Sequence, residues 1–212
     1  MRRLAALSTV LFTLAATPVV TPAVAEPIRL VVLGDSLTAG YGLPPGAGFP
    51  ARLEAALKER GRDVTVIDAG VSGDTTAGGL SRLDWSVGTD AQAVIVELGG
   101  NDMLRGTDPA RTAENLNQIV ARLTDRGLPV LVAGMIAPRN LGEDYARAFD
   151  ALFPAIAERH GALFYPFFLD GVAADAALNL PDGIHPNEAG IAVIVDRILP
   201  AVEQLLDRAG AS

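Results

Sequence analysis

The sequence predicts an α/β domain, a parallel sheet of about five strands sandwiched between helix layers. Short apolar runs of Val, Ile, Leu and Ala recur at 28–33, 64–69, 93–98, 130–134 and 163–165. Being nearly continuous rather than alternating, they read as strands buried on both faces. Stretches with apolar residues at helical spacing lie between them. A β-α alternation from end to end favours a parallel sheet with helices on both sides.

Each helix carries its own signals. The first is expected from about Pro50 to just before Gly61, with Leu53, Ala56 and Leu57 facing inward. The second has Asp108 as N-cap and Pro109 at the first helical position; Leu116, Ile119, Val120 and Leu123 share one face, and Gly127 ends it. A third is expected over 143–159. The last starts at Asn187 and lines up Ile191, Ile194, Val195, Ile198, Leu199, Val202 and Leu206, with Pro200 predicted to bend it.

Composition narrows the chemistry. The chain has 212 residues, 50% hydrophobic and 20% charged, a size that fits one domain with a full core. A formal net charge of −8 makes nucleic acid and anionic membrane surfaces poor partners. The lack of Cys excludes a thiol nucleophile, a disulfide and a thiolate metal site. Lys58, the single lysine, sits in a helical stretch rich in Arg and Glu, where neither a Ser-Lys dyad nor a Schiff base is expected.

The first residues have the layout of a signal peptide: basic Arg2 and Arg3, an apolar stretch over 4–16, and a small-x-small site at Ala23-Val24-Ala25. Pro18 and Pro22 interrupt the stretch, which falls short of the roughly 20 apolar residues of a spanning helix. The expectation is cleavage near Ala25, a single domain over 26–212, no stable membrane insertion, and a periplasmic or secreted product.

Sites in parallel sheets form in the loops after the carboxyl ends of the strands. The first strand delivers Gly34-Asp35-Ser36-Leu37. Ser36 directly follows a strand and a glycine that permits a tight turn, so it reads either as a nucleophile or as the N-cap of a short helix. The second strand runs into Val71-Ser72-Gly73-Asp74-Thr75, a glycine-containing turn whose N–H groups can hold an anion or simply make the turn. The third ends in Gly99-Gly100-Asn101-Asp102, which offers a carboxamide donor that stays neutral at every working pH, or an ordinary turn.

Ahead of the last helix stands Pro181-Asp182-Gly183-Ile184-His185-Pro186. Of the two histidines, His160 precedes Gly161 at a helix C-terminus, where a partial positive charge is welcome. His185 has no such role, and Asp182, three residues earlier, can reach its Nδ1 and leave Nε2 as a base. A Ser, a Gly-containing turn, an Asn and an Asp-x-x-His converging on one sheet edge is a combination chance does not readily produce.

In that order these blocks resemble the SGNH or GDSL hydrolase superfamily. Residues 33–42, 71–75, 96–106 and Pro166-Phe167-Phe168 are most similar to its exported bacterial multifunctional thioesterase, lysophospholipase and arylesterase group. The resemblance implies a flavodoxin-like three-layer α/β/α fold, no cofactor, and hydrolysis of acyl esters or thioesters. It implies Ser36 as nucleophile, His185 as base and Asp182 as its orienting acid. The oxyanion hole would comprise the N–H groups of Ser36 and Gly73 and the amide of Asn101. Thr38 stands where a nucleophile elbow needs Gly, which separates the chain from the other serine hydrolase fold.

Substrate contacts are expected from Asp35, Leu37, Met103, Leu104 and Ile184. Leu43-Pro44-Pro45, Met103-Leu104 and Phe167-Phe168-Leu169 read either as an apolar acyl groove or as ordinary packing. Arg105, Gly106 and Thr107 are placed to hinge a flap. The expected substrate is a small acyl ester or lysophospholipid, since an exported enzyme does not meet cytosolic acyl-CoA. Two other readings compete: a metal-dependent phosphoesterase with Asp35, Asp74, Asp102 and Asp182 as ligands, and an exported ligand-binding module without chemistry.

Overall fold

The computed structural model describes residues 26–210; the expected signal peptide lies outside the described residues. In chain order the elements are β1 (Ile28–Gly34), α1 (Ser36–Ala39), α2 (Phe49–Glu59), β2 (Val64–Gly70), α3 (Thr76–Ser81), α4 (Leu83–Ser86) and β3 (Ala93–Glu97). Then come α5 (Gly100–Leu104), α6 (Pro109–Asp125), β4 (Val130–Ala133), a 3-10 turn (Arg139–Leu141), α7 (Glu143–His160), β5 (Leu163–Tyr165) and α8 (Glu188–Gly210). The five strands form one parallel sheet in the order β2-β1-β3-β4-β5. Helix α2 packs on α8, while α6 packs on α3 and α7, so the sheet lies between helix layers as expected.

The strands match the apolar runs to within a residue at their ends. Burial on both faces holds for β1, β3 and β4 but not for all five: β2 and β5 are largely half-buried, with Asp68 of β2 exposed. Both are edge strands, and an edge strand has a neighbour on one side only. Register decides where the site forms. Gly34 pairs with both Gly70 and Glu97, so β1, β2 and β3 end in line and release their loops from one edge.

Helix signals hold. Asp108 caps α6 by accepting from the Ala110 N–H at 2.9 Å, and Pro109 opens it. The Asn187 side chain accepts from the Gly190 N–H at 3.0 Å at the start of α8, which continues through Pro200. Helices α1, α3, α4 and α5 have only four to six residues each, too short for periodicity to reveal. Among the described residues no helix is long and apolar enough to cross a membrane.

Candidate active site

The site is built on the shared edge. Ser36 is the first residue of α1, not its cap. That task falls to Asp35, whose Oδ1 accepts from the Leu37 N–H at 3.0 Å. Gly34 is there for room rather than for an unusual turn: a Cβ on it would come within 2.0 Å of Thr38 Oγ1 and 2.7 Å of Glu97 Oε2. Thr38, which distinguishes the chain from an elbow, is buried and donates its hydroxyl to Glu97 Oε2 at 2.9 Å.

His185 reaches Ser36 from the loop before α8. Leu180 N–H donates to the His185 carbonyl at 2.7 Å, and Asn179 bridges to Pro186 in antiparallel fashion. The loop is thus closed on itself and presents Asp182 and His185 together. Nδ1 of His185 lies 2.7 Å from Asp182 Oδ2, and Nε2 lies 2.9 Å from Ser36 Oγ. A carboxylate only accepts, so Nδ1 carries the hydrogen and Nε2 is left to accept the Ser36 hydroxyl. Asp182 Oδ1 also takes the N–H groups of Ile184 (2.9 Å) and His185 (3.0 Å). Those bonds, with the one to the imidazole, hold its pKa down to about 2.

Asn101 lies on α5, and its Nδ2 donates to Asp35 Oδ2 at 2.8 Å. Asp35 is 1% exposed, and burial pushes its pKa up to about 6 against the opposing pull of the Leu37 N–H and the Asn101 amide. Beneath it Glu97, fully buried, accepts from the Asp35 N–H at 3.3 Å and from Thr38, while its Oε1 has no partner among the described residues. Burial first and the neighbouring Asp35 second push the Glu97 pKa well above its ordinary 4.5.

A cavity of about 270 Å³ opens beside Ser36. It is lined by Ser36, Asn101 and His185 together with Asp35, Leu37, Met103, Leu104 and Ile184, so every expected substrate contact is brought to it. Met135, Ile136, Phe167 and Leu169 extend its apolar wall. Gly73 is not among the lining residues. It sits in the turn after β2 at φ 81°, a backbone shape that favours glycine, and its carbonyl accepts from Arg105 Nη2 at 2.7 Å.

Two parts of the expected acyl groove lie elsewhere. Phe168 is fully buried and packs edge-on against Phe49 in the core, and Leu43-Pro44-Pro45 border a separate hollow with Ala51 and Glu54. The Arg105–Thr107 turn is tied by its own N–H groups to the carbonyls of Asn101 (3.1 Å), Met103 (3.0 Å) and Asp102 (2.9 Å), by the Arg105 side chain to the Gly73 carbonyl, and by the Tyr145 hydroxyl to the Thr107 carbonyl (3.0 Å).

The four aspartates of the metal reading do not converge. Asp74 pairs with Arg82 at 2.6 Å, Asp102 takes the N–H and hydroxyl of Thr76, Asp182 serves His185, and Asp35 serves Leu37 and Asn101. Among the described residues no group of three or more His, Asp or Glu is arranged to hold a metal ion. His160, at the end of α7, has Nε2 3.0 Å from Asn117 Oδ1, in keeping with its structural reading.

Three contributors escaped the sequence. Arg82 donates to the carbonyls of Gly34 (2.9 Å) and Ala69 (2.8 Å), clasping the ends of β1 and β2. The Tyr41 ring packs on His185 with centroids 4.5 Å apart. Buried Asn179 lines the cavity and ties its loop to the carbonyls of Val172 and Asp175, both at 2.7 Å. Nothing local marks Arg82 among many arginines; Tyr41 fell within a matched block but carried no chemical signal of its own.

A five-stranded parallel sheet with Ser, Asn and Asp-x-x-His gathered on its carboxyl edge defines an α/β acyl hydrolase. The chain belongs to the GDSL-like Lipase/Acylhydrolase family, whose model matches residues 32–193, and is an ester hydrolase. It is 38% identical over 178 residues to esterase TesA of Pseudomonas aeruginosa, covering 84% of this chain and 89% of that one. It is 35% identical over 179 residues to thioesterase 1/protease 1/lysophospholipase L1 of Escherichia coli K12, covering 84% and 85% respectively. Among solved structures it is similar to AlinE4, an SGNH-hydrolase family esterase. That match has 43% identity and a TM-score of 0.73, covering 87% of this chain and 99% of that chain.

Proposed function

We propose that the protein is an exported serine hydrolase that cleaves small acyl esters and lysophospholipids through an acyl-enzyme held on Ser36. The observation that carries this reading is the unbroken line Asp182–His185–Ser36, at 2.7 and 2.9 Å, over the mouth of an apolar cavity. Ser36 Oγ attacks the acyl carbonyl carbon while His185 Nε2 takes the hydroxyl proton and Asp182 steadies the imidazolium. The C–O or C–S bond to the leaving group then breaks, and the leaving group takes that proton from His185. Water repeats the cycle on the acyl-enzyme, releasing the carboxylic acid and restoring Ser36.

The tetrahedral oxyanion is assigned to the N–H groups of Ser36 and Gly73 and the Asn101 amide, donors that act where negative charge develops. The acyl chain is assigned to the wall formed by Leu37, Met103, Leu104, Ile136, Phe167 and Ile184. Thioester cleavage fits the same chemistry, and the name of the Escherichia coli relative supports both a thioester and a lysophospholipid substrate. Export rests on the layout of residues 1–25, and the reading takes 26–212 as a single catalytic domain.

The test is hydrolysis of p-nitrophenyl butyrate by the protein and by Ser36→Ala, both in EDTA. The expected result is turnover by the parent and a loss of about three orders of magnitude or more in the variant. Equal rates in the two would reduce Ser36 to a structural residue.

A further inference from the structure

Asp35 uses its two oxygens on two different elements. Oδ1 accepts from the Leu37 N–H of α1, the helix that starts with Ser36, and Oδ2 accepts from the Asn101 amide of α5. One buried side chain therefore joins the helix carrying the nucleophile to the helix carrying the amide donor. Room beneath this join comes from Gly34, where a Cβ would meet Thr38 Oγ1 at 2.0 Å and Glu97 Oε2 at 2.7 Å.

The join has a chemical direction. A carboxamide left to itself turns either end toward a neighbour, and its oxygen beside a developing oxyanion repels it. A carboxylate accepts only, so Asp35 selects the Nδ2 end of Asn101. That nitrogen has two hydrogens; Asp35 takes one and leaves the other.

We propose that Asp35 is a positioning residue for the oxyanion site, holding the Asn101 amide with one N–H on its Oδ2 and the other free for the oxyanion. The proposal rests on the reading of Asn101 as an oxyanion donor. Glu97 completes the arrangement from below. Its Oε2 takes the Asp35 N–H and the Thr38 hydroxyl, its Oε1 has no partner among the described residues, and deep burial favours its neutral form. Negative charge in this nest therefore falls on Asp35, the carboxylate that touches Asn101.

The rival explanation is that Asp35 only caps α1. Asn caps helices about as well as Asp, so Asp35→Asn separates the two. The new side chain keeps an oxygen for the Leu37 N–H but turns an NH2 toward the Asn101 NH2. For p-nitrophenyl butyrate the expected result is a fall in kcat of about 10- to 100-fold. That is at most the loss of a whole oxyanion donor, about 10²–10³. KM should stay within about twofold. In an Asn101→Ala background, Asp35→Asn should add no further loss, because the two residues act as one unit.

Full kcat in Asp35→Asn would overturn the proposal, as would a loss that multiplies undiminished with that of Asn101→Ala. If Asp35→Asn does not fold, Asp35→Ser takes its place, since it keeps a capping oxygen and leaves Asn101 without its acceptor. If Asn101→Ala alone is fully active, the oxyanion reading itself fails and the proposal falls with it.

Discussion

Asp182, which holds His185, and Asp35, which precedes Ser36 in the chain, sit in opposite electrical settings. Asp182 sits at the surface, on a loop that turns two N–H groups and an imidazole toward it, and its pKa falls to about 2. Asp35 lies under the site with two donors and a second carboxyl beside it, and its pKa rises to about 6. Solvent and three donors keep one carboxylate charged under nearly all conditions, while desolvation makes the other depend on its two bonds. Environments that push paired carboxyls apart in this way separate their tasks. Asp182 is suited to supporting a charge that appears on His185 during reaction, and Asp35 to holding a neighbour in place.

The largest expected effect falls on the exposed side. Asp182→Asn keeps the size of the side chain but removes the charge behind His185 and permits the wrong imidazole tautomer. The expected loss is about 10⁴-fold in kcat, the order known for such a change in a serine triad, measured on p-nitrophenyl butyrate at saturating substrate. A loss of about 100-fold or less would place the two aspartates on a par and break the comparison. Asn101→Ala comes next, with kcat down about 10²–10³. Asp35→Asn follows with its smaller, Asn101-dependent loss.

Stability against pH sharpens the contrast. The Asp182 pKa is depressed in the fold, so its contribution is present above its ordinary 3.8 and lost as pH falls toward about 2. Glu97 runs the other way. Its pKa is raised well above 4.5, so its contribution is full below 4.5 and is lost as pH rises toward the folded value. Melting curves for Asp182→Asn should therefore converge on the parent's as pH drops from 4 to 2. Those for Glu97→Gln, an uncharged isostere, should gain on the parent as pH rises above 4.5. Parallel curves for Glu97→Gln and parent across pH would show that Glu97 does not carry this titration.

Much of this was legible in the sequence because it is local. Strands were marked by apolar runs, α6 by Asp108-Pro109, and the Asp182–His185 pair by a spacing that a single loop enforces. Ser36 and Asn101 were found because each falls just after a strand, on what the β-α alternation makes the carboxyl edge of the sheet. What was not legible depends on contacts between residues far apart in the chain. Asp35 and Asn101 are 66 residues apart, and Thr38 and Glu97 59. Asp35 was read as a substrate contact and does line the cavity, but nothing local says that its carboxylate is also buried against Leu37 and Asn101. Phe167 and Phe168 were read as a pair, yet one lines the cavity and the other is core, since neighbours just after a strand end face opposite ways.

The central claim is that Ser36 forms the covalent bond. The direct measurement is mass spectrometry of the protein after exposure to a p-nitrophenyl alkylphosphonate ester, for the parent and for Ser36→Ala. The account predicts one phosphonyl adduct per chain, on the peptide containing Ser36, and no adduct on the variant. An adduct that persists in Ser36→Ala, or an unmodified parent that still hydrolyses p-nitrophenyl butyrate, would contradict it.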